Sequence, residues 1–288
     1  MPELPEVEIV RRGLAPAMEG AVFSSVETRR PDLRFPLPQK FRDRLQGTRV
    51  DALRRRGKYL IADLGSGESL IMHLGMTGRF TVSKAAGTVR PGDFYRADPG
   101  DPAHDHVSFV MRKRRLESRI DYNDPRRFGF MDLERTNGLD NSRHLAGMGP
   151  EPLGPDFTPQ SLNAALSGRS APIKAALLDQ AVVAGLGNIY VCEALFRAKI
   201  SPRRQAYNVS AAKSALLHET IREVLAEAIE AGGSTLRDFA ASDGAPGFFQ
   251  DRFQVYGREK EPCPSCGAPI GRLVQSGRST FYCGKCQR

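Results

Sequence analysis

Two cysteine pairs near the C-terminal end constrain the folding of this chain more than any other feature. Cys263-Pro-Ser-Cys266 and Cys283-Gly-Lys-Cys286 are separated by sixteen residues, giving C-x2-C-x16-C-x2-C. Each pair forms a knuckle that presents two thiolates to one tetrahedral zinc ion, and the spacer suffices for a β-hairpin that returns the second knuckle to the first. A stretch this short makes no apolar core of its own, so bound metal supplies its folding free energy. Four thiolates leave no coordination position for water, which makes the zinc structural and not catalytic. The competing readings are an unliganded tail and a redox dithiol, and the latter lacks a surrounding βαβ pattern. Cysteines gathered for metal also suit a reducing compartment, hence the cytoplasm. The fifth, Cys192, stands alone in a helical pattern and reads as a small core residue.

The rest of the chain changes periodicity once. Val7, Val10, Leu14 and Met18 fall on one helical face after Pro5, with Glu3, Glu6 and Glu8 in the first turns and Arg11 and Arg12 further on, an order that matches the helix dipole. The next stretch of about 110 residues reads as strands. Val107, Phe109 and Met111 alternate, as do Leu116, Ser118, Ile120 and Tyr122, while Tyr59-Leu60-Ile61 and Leu70-Ile71-Met72 are buried-strand runs. Gly and Pro turns between them predict a mostly antiparallel sandwich. Lys84 to Pro102 is Gly-, Pro- and Asp-rich and reads as a mobile loop. Met148 to Pro159 carries four prolines and reads as a connector. Beyond it Leu217, Ile221, Leu225 and Ile229 form a helical stripe that Ser210 caps and Gly232-Gly233 ends; an earlier helix starts near Asn188, after Gly185-Leu186-Gly187. The fold class is therefore α+β. An N-terminal helix and antiparallel β-sandwich are followed by a helical domain and a four-cysteine hairpin.

Charge narrows the partners. The chain carries 42 Lys+Arg against 33 Asp+Glu, a net +9, which suits an anionic partner, either nucleic acid or an acidic membrane surface. No apolar run reaches the ~18 residues of a membrane span. MPELPEVEI has neither the basic nor the apolar region of a signal peptide.

The opening MPELPE also carries chemistry. Pro2 is small enough for Met1 to be removed, which exposes a secondary amine. A free α-amine titrates near ~7.7–8.0, and the positive end of a helix disfavours its cation further. The neutral amine is a nucleophile; attack on a sugar C1′ gives an iminium that acidifies the C2′ proton. Taken alone, Pro-Glu-Leu-Pro-Glu is better read as a plain helix start, where proline is enriched.

Six features occur together and in order: MPELPEVE, Lys58 in RRRGKYL, HLGMTG at 73–78, NDPRRFG at 123–129, GLGNIYVCEALF at 185–196 and the four-cysteine finger. In this the chain resembles the formamidopyrimidine-DNA glycosylases, bacterial enzymes that repair oxidised purines, over nearly its whole length. The resemblance implies that Pro2 displaces the damaged base and forms a Schiff base with the sugar. It makes the adjacent Glu3 the acid/base that protonates the departing group, and Lys58 the lysine of β-elimination. On its own Lys58 is one more lysine in a basic strand edge, a solvated charge. Met76, Arg126 and Phe128 become the wedges that fill the gap left by the flipped base, with Arg126 facing the orphaned cytosine. Further DNA contacts fall on His104, Arg126, Arg169, Lys174 and Asn188; Arg278 contacts DNA and is linked to the final δ-elimination. Ser242 to Phe249 becomes a loop that closes over the lesion. Arg169 stands where a lysine is common, and the loop at 84–103 is longer than usual.

The implied organisation is a catalytic domain at 1–140 and a linker at 141–157. A helix–two-turns–helix DNA-binding domain at 158–240, a lesion-capping loop and connector at 241–253 and a zinc finger at 254–288 complete it. The implied partner is double-stranded DNA with oxidised bases or abasic sites, gripped across an interdomain cleft by a monomer that needs one structural Zn2+ and no redox cofactor. Two rivals stand beside this reading. An oxidised-pyrimidine glycosylase of the endonuclease VIII type usually begins Pro-Glu-Gly-Pro-Glu and lacks DPRRFG, so Leu4 and Arg126 to Phe128 favour the purine enzyme. A non-catalytic zinc-finger protein has no need of Pro2, Glu3 and Lys58.

Overall fold

A computed structural model describes residues 2–84, 87–91, 101–234 and 249–288. The chain forms two compact units, Met1–Ala146 with Gly232–Phe248, and Gly147–Ala231 with Phe249–Arg288.

In the first unit, helix α1 (Leu4–Met18) begins at Glu3, whose N–H donates to the Glu6 carboxylate at 2.8 Å, with Pro5 in the first turn. Its expected stripe is buried, Val7, Val10, Leu14 and Met18 each being at most 1% exposed. Strand β1 (Val22–Thr28), the short helix α2 (Phe41–Leu45) and strands β2 (Val50–Arg56), β3 (Tyr59–Leu64), β4 (Glu68–His73), β5 (Arg79–Lys84), β6 (Gly87–Val89), β7 (Asp105–Lys113), β8 (Leu116–Asn123) and β9 (Phe130–Arg135) follow. They build two antiparallel sheets, ordered β1-β7-β8-β5-β6 and β2-β3-β4-β9. Val7, Val10 and Leu14 share one core with both, including Phe23, Leu60, Met72, Phe109 and Tyr122. The alternation expected along 116–122 holds only for Ile120 and Tyr122. Leu116 is 74% exposed because it opens β8 at a hairpin tip, beyond the edge of the core. The stretch 84–102, expected as loop throughout, also contains strand β6, which pairs with β5; residues 92–100 of it lie outside the described residues.

In the second unit, the connector gives way to α3 (Pro159–Leu166), α4 (Ile173–Leu178), α5 (Asn188–Arg197) and α6 (Ala211–Glu230). Helix α5 starts at Asn188 as expected. Helix α6 is capped by the Ser210 hydroxyl, which accepts the Lys213 N–H, and is followed by Gly232 and Gly233 at φ 79° and 86°. Strands β10 (Gly271–Gln275) and β11 (Arg278–Tyr282) form the hairpin between the cysteine pairs. The hairpin is not left to metal alone: Cys263, Ile270 and Cys283 share a small core with Cys192 and Phe196 of α5 and with Val255. Glu193 of α5, fully buried, accepts the backbone N–H groups of Gln254, Val255 and Tyr256 and so fixes the chain entering the finger. Burial pushes its carboxyl above the usual range in spite of these bonds. The segment 242–248, expected to cap a lesion, lies outside the described residues.

Candidate catalytic and DNA-binding residues

The N-terminal residues are held by one carboxylate. Pro2 and Glu3 are buried at the start of α1. Glu6 uses one oxygen to accept the Glu3 N–H and the other to accept the Ser234 N–H and hydroxyl, at 2.9 and 3.0 Å. A single buried side chain thus ties the chain start to the residue that follows α6 in sequence by four positions. The sequence places Glu6 only among the first-turn carboxylates that match the helix dipole and gives no signal of this link. Lys58 departs from the reading of a solvated charge. It lies in the turn between β2 and β3 and is only 9% exposed.

Beside it stands a residue that sequence reasoning passed over, His73. Tyr59 and His73 are cross-strand partners with ring centroids 5.0 Å apart, and His73 stacks on Phe130. Burial first, then the charges of Lys58, Arg34 and His144, lower its pKa to about 4. It is neutral at ordinary pH, and its Nδ1 accepts the Gly75 N–H at 3.0 Å. His73 was legible as the first residue of HLGMTG, but only the fold sets it against Lys58.

The expected wedges come from two loops locked together. Asp124, fully buried, accepts the Thr77 hydroxyl on one oxygen; the other accepts the Tyr122 hydroxyl at 3.2 Å and the Gly129 N–H at 2.8 Å. Its own N–H donates to the His104 carbonyl, and its carbonyl is bonded by the His106 ring. One residue thereby organises HLGMTG and NDPRRFG through its carboxylate and the turn bearing His104 through its backbone. The loops cross so closely that a Cβ on Gly75 (φ 61°) would overlap the Phe128 backbone, and one on Gly129 would overlap the Tyr122 hydroxyl. Arg127 adopts a left-handed φ of 54°, a conformation that costs an ordinary residue about 1–2 kcal/mol, next to the outward-facing Phe128. Phe128 is 42% exposed, and the Arg126 guanidinium lies 4.7 Å over its ring. Met76 is half-buried in the facing loop. Leu33, Arg34, Arg126, Arg127 and Phe128 line a hollow of about 400 Å³. Exposed aromatic and cationic side chains on a rigid base are what a wedge between stacked bases requires.

The second unit groups its expected residues around Ser279. Asn188 donates its amide to the Ser279 carbonyl at 3.0 Å. Lys174 donates to the same carbonyl and to the Thr280 hydroxyl, at 3.2 and 2.7 Å. Lys174 is fully buried, so its placement differs from that of a surface phosphate contact. The fold directs its ammonium onto the finger hairpin, one residue from the exposed Arg278. Arg169 is half-buried and pairs with Asp179 at 2.8 Å. The four cysteine sulfurs lie within 4.8 Å of one another, Cys266 and Cys283 at 3.5 Å and Cys263 and Cys286 at 3.9 Å. A tetrahedron of Zn–S bonds of about 2.3 Å sets its sulfurs about 3.8 Å apart, so the site fits one zinc ion. Without the ion the Cys286 thiol resists ionisation. Cys286 is pushed up to about 12, first by its hydrogen bond to the Cys266 thiol and then by burial and the other two thiols.

Comparison with known proteins bears on all three regions. Residues 1–131 match the formamidopyrimidine-DNA glycosylase N-terminal domain, 148–240 the H2TH domain of the same enzymes, and 260–288 a zinc finger found in FPG and IleRS. The formamidopyrimidine-DNA glycosylase of Ruegeria pomeroyi is 57% identical over 290 residues, and that of Caulobacter vibrioides NA1000 is 55% identical over 289, each aligned over 100% of both chains. Among solved structures, MutM (Fpg) of Thermus thermophilus is 41% identical with a TM-score of 0.83, covering 99% of this chain and 98% of the other. Lactococcus lactis Fpg in complex with DNA containing an abasic site is 34% identical with a TM-score of 0.85, covering 100% of both.

Proposed function

Because this chain belongs to the formamidopyrimidine-DNA glycosylase family, we propose a residue-by-residue mechanism for the base-excision repair that the family performs. The protein removes oxidised purines from duplex DNA and cleaves the resulting abasic site. Met76, Arg126 and Phe128 enter the duplex as the damaged nucleotide swings out, and Arg126 bonds the unpaired cytosine. Met1 is removed, and the Pro2 nitrogen attacks C1′. The N-glycosidic bond breaks and the base leaves with a proton delivered through Glu3. The resulting iminium acidifies C2′; loss of that proton expels the 3′ phosphate, and a second elimination expels the 5′ phosphate. Lys58 serves the first elimination and Arg278 the second.

The observation that carries this reading is the buried Pro2-Glu3 pair at the positive end of a fifteen-residue helix, fixed by Glu6. That end disfavours a protonated amine and leaves the lone pair available near neutral pH. His104, Arg169 and Asn188 contact the backbone in our assignment, while Lys174 acts through the hairpin that carries Arg278. The bound zinc supplies no chemistry here; held by Cys263, Cys266, Cys283 and Cys286 it cross-links the finger. We assign the protein to the bacterial cytoplasm, where its DNA resides, acting as a monomer. No described helix is long and apolar enough to cross a membrane.

Borohydride added during turnover on an 8-oxoguanine:cytosine duplex is expected to trap one protein–DNA adduct through Pro2. Recovery of the adduct on Lys58, or full nicking by a Pro2→Gly variant, would remove Pro2 from its role. Faster cleavage of a thymine-glycol duplex would favour the endonuclease VIII type instead.

A further inference from the structure

The hairpin that joins β7 to β8 carries Arg112, Lys113, Arg114 and Arg115 in succession, all exposed. Among the described residues no ion pair engages any of the four. Other arginines of this unit do find acids: the exposed Arg54 pairs with Asp63, and the half-buried Arg119, four residues beyond the tip on β8, pairs with both Asp121 and Glu27. At the tip only Glu117 stands across from Arg112, while Lys84 of β5 adds a fifth cation opposite Ser118. The turn is also costly for its residues. Arg114 takes a left-handed φ of 57°, a position that Gly or Asn fills with least strain. Cations without partners, at a place where local stability favours another residue, point to a polyanion outside the chain.

The register places this turn away from the lesion site. His104 adjoins the first residue of β7, Asp105, and NDPRRFG begins with the last residue of β8, Asn123. The basic turn lies at the other end of both strands, about 25 Å away at about 3.3 Å per residue. Helix α1 keeps the same order. Gly20, just past its C-terminal end, lies against Lys113, and Pro2 lies at the opposite end. The turn therefore lies about seven base pairs' length (about 3.4 Å each) from the wedge loops, too far to serve the extruded nucleotide itself. Three guanidiniums and an ammonium on a narrow convex tip suit the regularly spaced phosphates of a nucleic-acid backbone, which arginine binds in bidentate fashion. The single exposed Leu116 is ordinary for a surface and does not require an apolar partner.

We propose that the Arg112–Arg115 turn is a second, sequence-independent contact for duplex DNA. It holds a neighbouring segment while the wedge loops hold the first, so that the enzyme passes between segments without becoming free. This rests on the glycosylase reading only in taking DNA as the bound polymer.

The test uses the zinc-loaded full chain, saturated with a short duplex bearing a stable abasic analogue. A second, undamaged, fluorescently labelled duplex is then added at 50 mM salt and followed by anisotropy. The wild-type protein is expected to bind it, with affinity falling roughly 100-fold by 200 mM salt if four phosphates are engaged at about 0.9 ions each. Its dissociation from the first duplex is expected to accelerate with competitor DNA. A Lys113→Ser, Arg114→Asn, Arg115→Ser variant is expected to lose at least tenfold in second-duplex affinity and all of the competitor dependence, with single-turnover excision unchanged. A single Arg114→Asn variant, which relaxes the turn, checks that folding is intact. Equal binding by variant and wild type, no second-duplex binding at all, or capture of polyglutamate in preference to DNA would each overturn the proposal. Failure to bind the first duplex would instead strike the glycosylase reading.

Discussion

At the scale of single residues, the site depends on a few buried polar groups that bear no catalytic role themselves. Asp124 links three segments through hydrogen bonds to Thr77, Tyr122, Gly129 and His104. Removing the carboxylate leaves the Thr77 and Tyr122 hydroxyls and the Gly129 N–H without it at about 1–3 kcal/mol each, while the backbone bond to His104 stays. An Asp124→Ala variant is expected to lose about 2–4 kcal/mol of stability in urea unfolding, with a greater loss of discrimination between cytosine and other bases opposite the lesion than of zinc content. His73 makes a pH-dependent contribution. Its folded pKa lies near 4, below the unfolded value near 6.5. The neutral form is therefore favoured by folding, its stabilisation is present above pH 6.5, and it is lost as pH falls toward 4, in total up to about 3 kcal/mol. Urea midpoints measured from pH 7.5 to 4.5 are expected to fall, and a His73→Asn variant is expected to show a flatter profile over that window. An unchanged slope in the variant would show that another group titrates there.

At the scale of elements, the finger hairpin is held from two sides, by metal and by the helical domain. Lys174 and Asn188 bond the Ser279 carbonyl, Glu193 anchors the chain before the finger, and Cys192 and Phe196 complete its small core. Chelation of zinc is therefore expected to loosen β10 and β11 while α5 and α6 keep their helicity. Far-UV circular dichroism should change little as DNA affinity collapses. Because the thiols must lose protons to bind metal, and Cys286 resists doing so, zinc loading is expected to weaken as pH falls. A chromogenic chelator followed from pH 8 to 6 reads this directly. Loss of most helical signal on chelation would mean that the metal supports the whole helical domain.

At the scale of the whole molecule, a net charge of +9 sets how the enzyme meets DNA. Association with a polyanion releases counterions, so excision at limiting enzyme is expected to fall steeply between 50 and 200 mM salt. Single-turnover excision from a preformed complex is expected to change far less, since buried groups such as Glu3 and Lys58 are poorly screened. Equal salt sensitivity in both regimes would place the electrostatic effect on the chemical step.

Much of this was legible before folding. The cysteine spacing specified the finger, apolar alternation specified the strands at 107–111, and the stripe from Leu217 specified α6, because each signal is local and repeats at the period of its element. Pro2, Glu3, Met76, Arg126 and Phe128 were singled out by the order of their motifs along the chain, and their roles are the ones we propose. Local pattern could not reach the burial of Lys58 and Lys174, the neutral His73, the double use of Glu6 or the Asp124 clamp. These join positions up to 228 residues apart, and a side chain's solvation and charge state depend on whatever the remaining chain brings to it. The sequence alone therefore determined which elements form and which chemistry is available. Tertiary packing decided which of those groups are desolvated, paired and aimed, since distance in space, not along the chain, governs both hydrogen bonding and electrostatic energy.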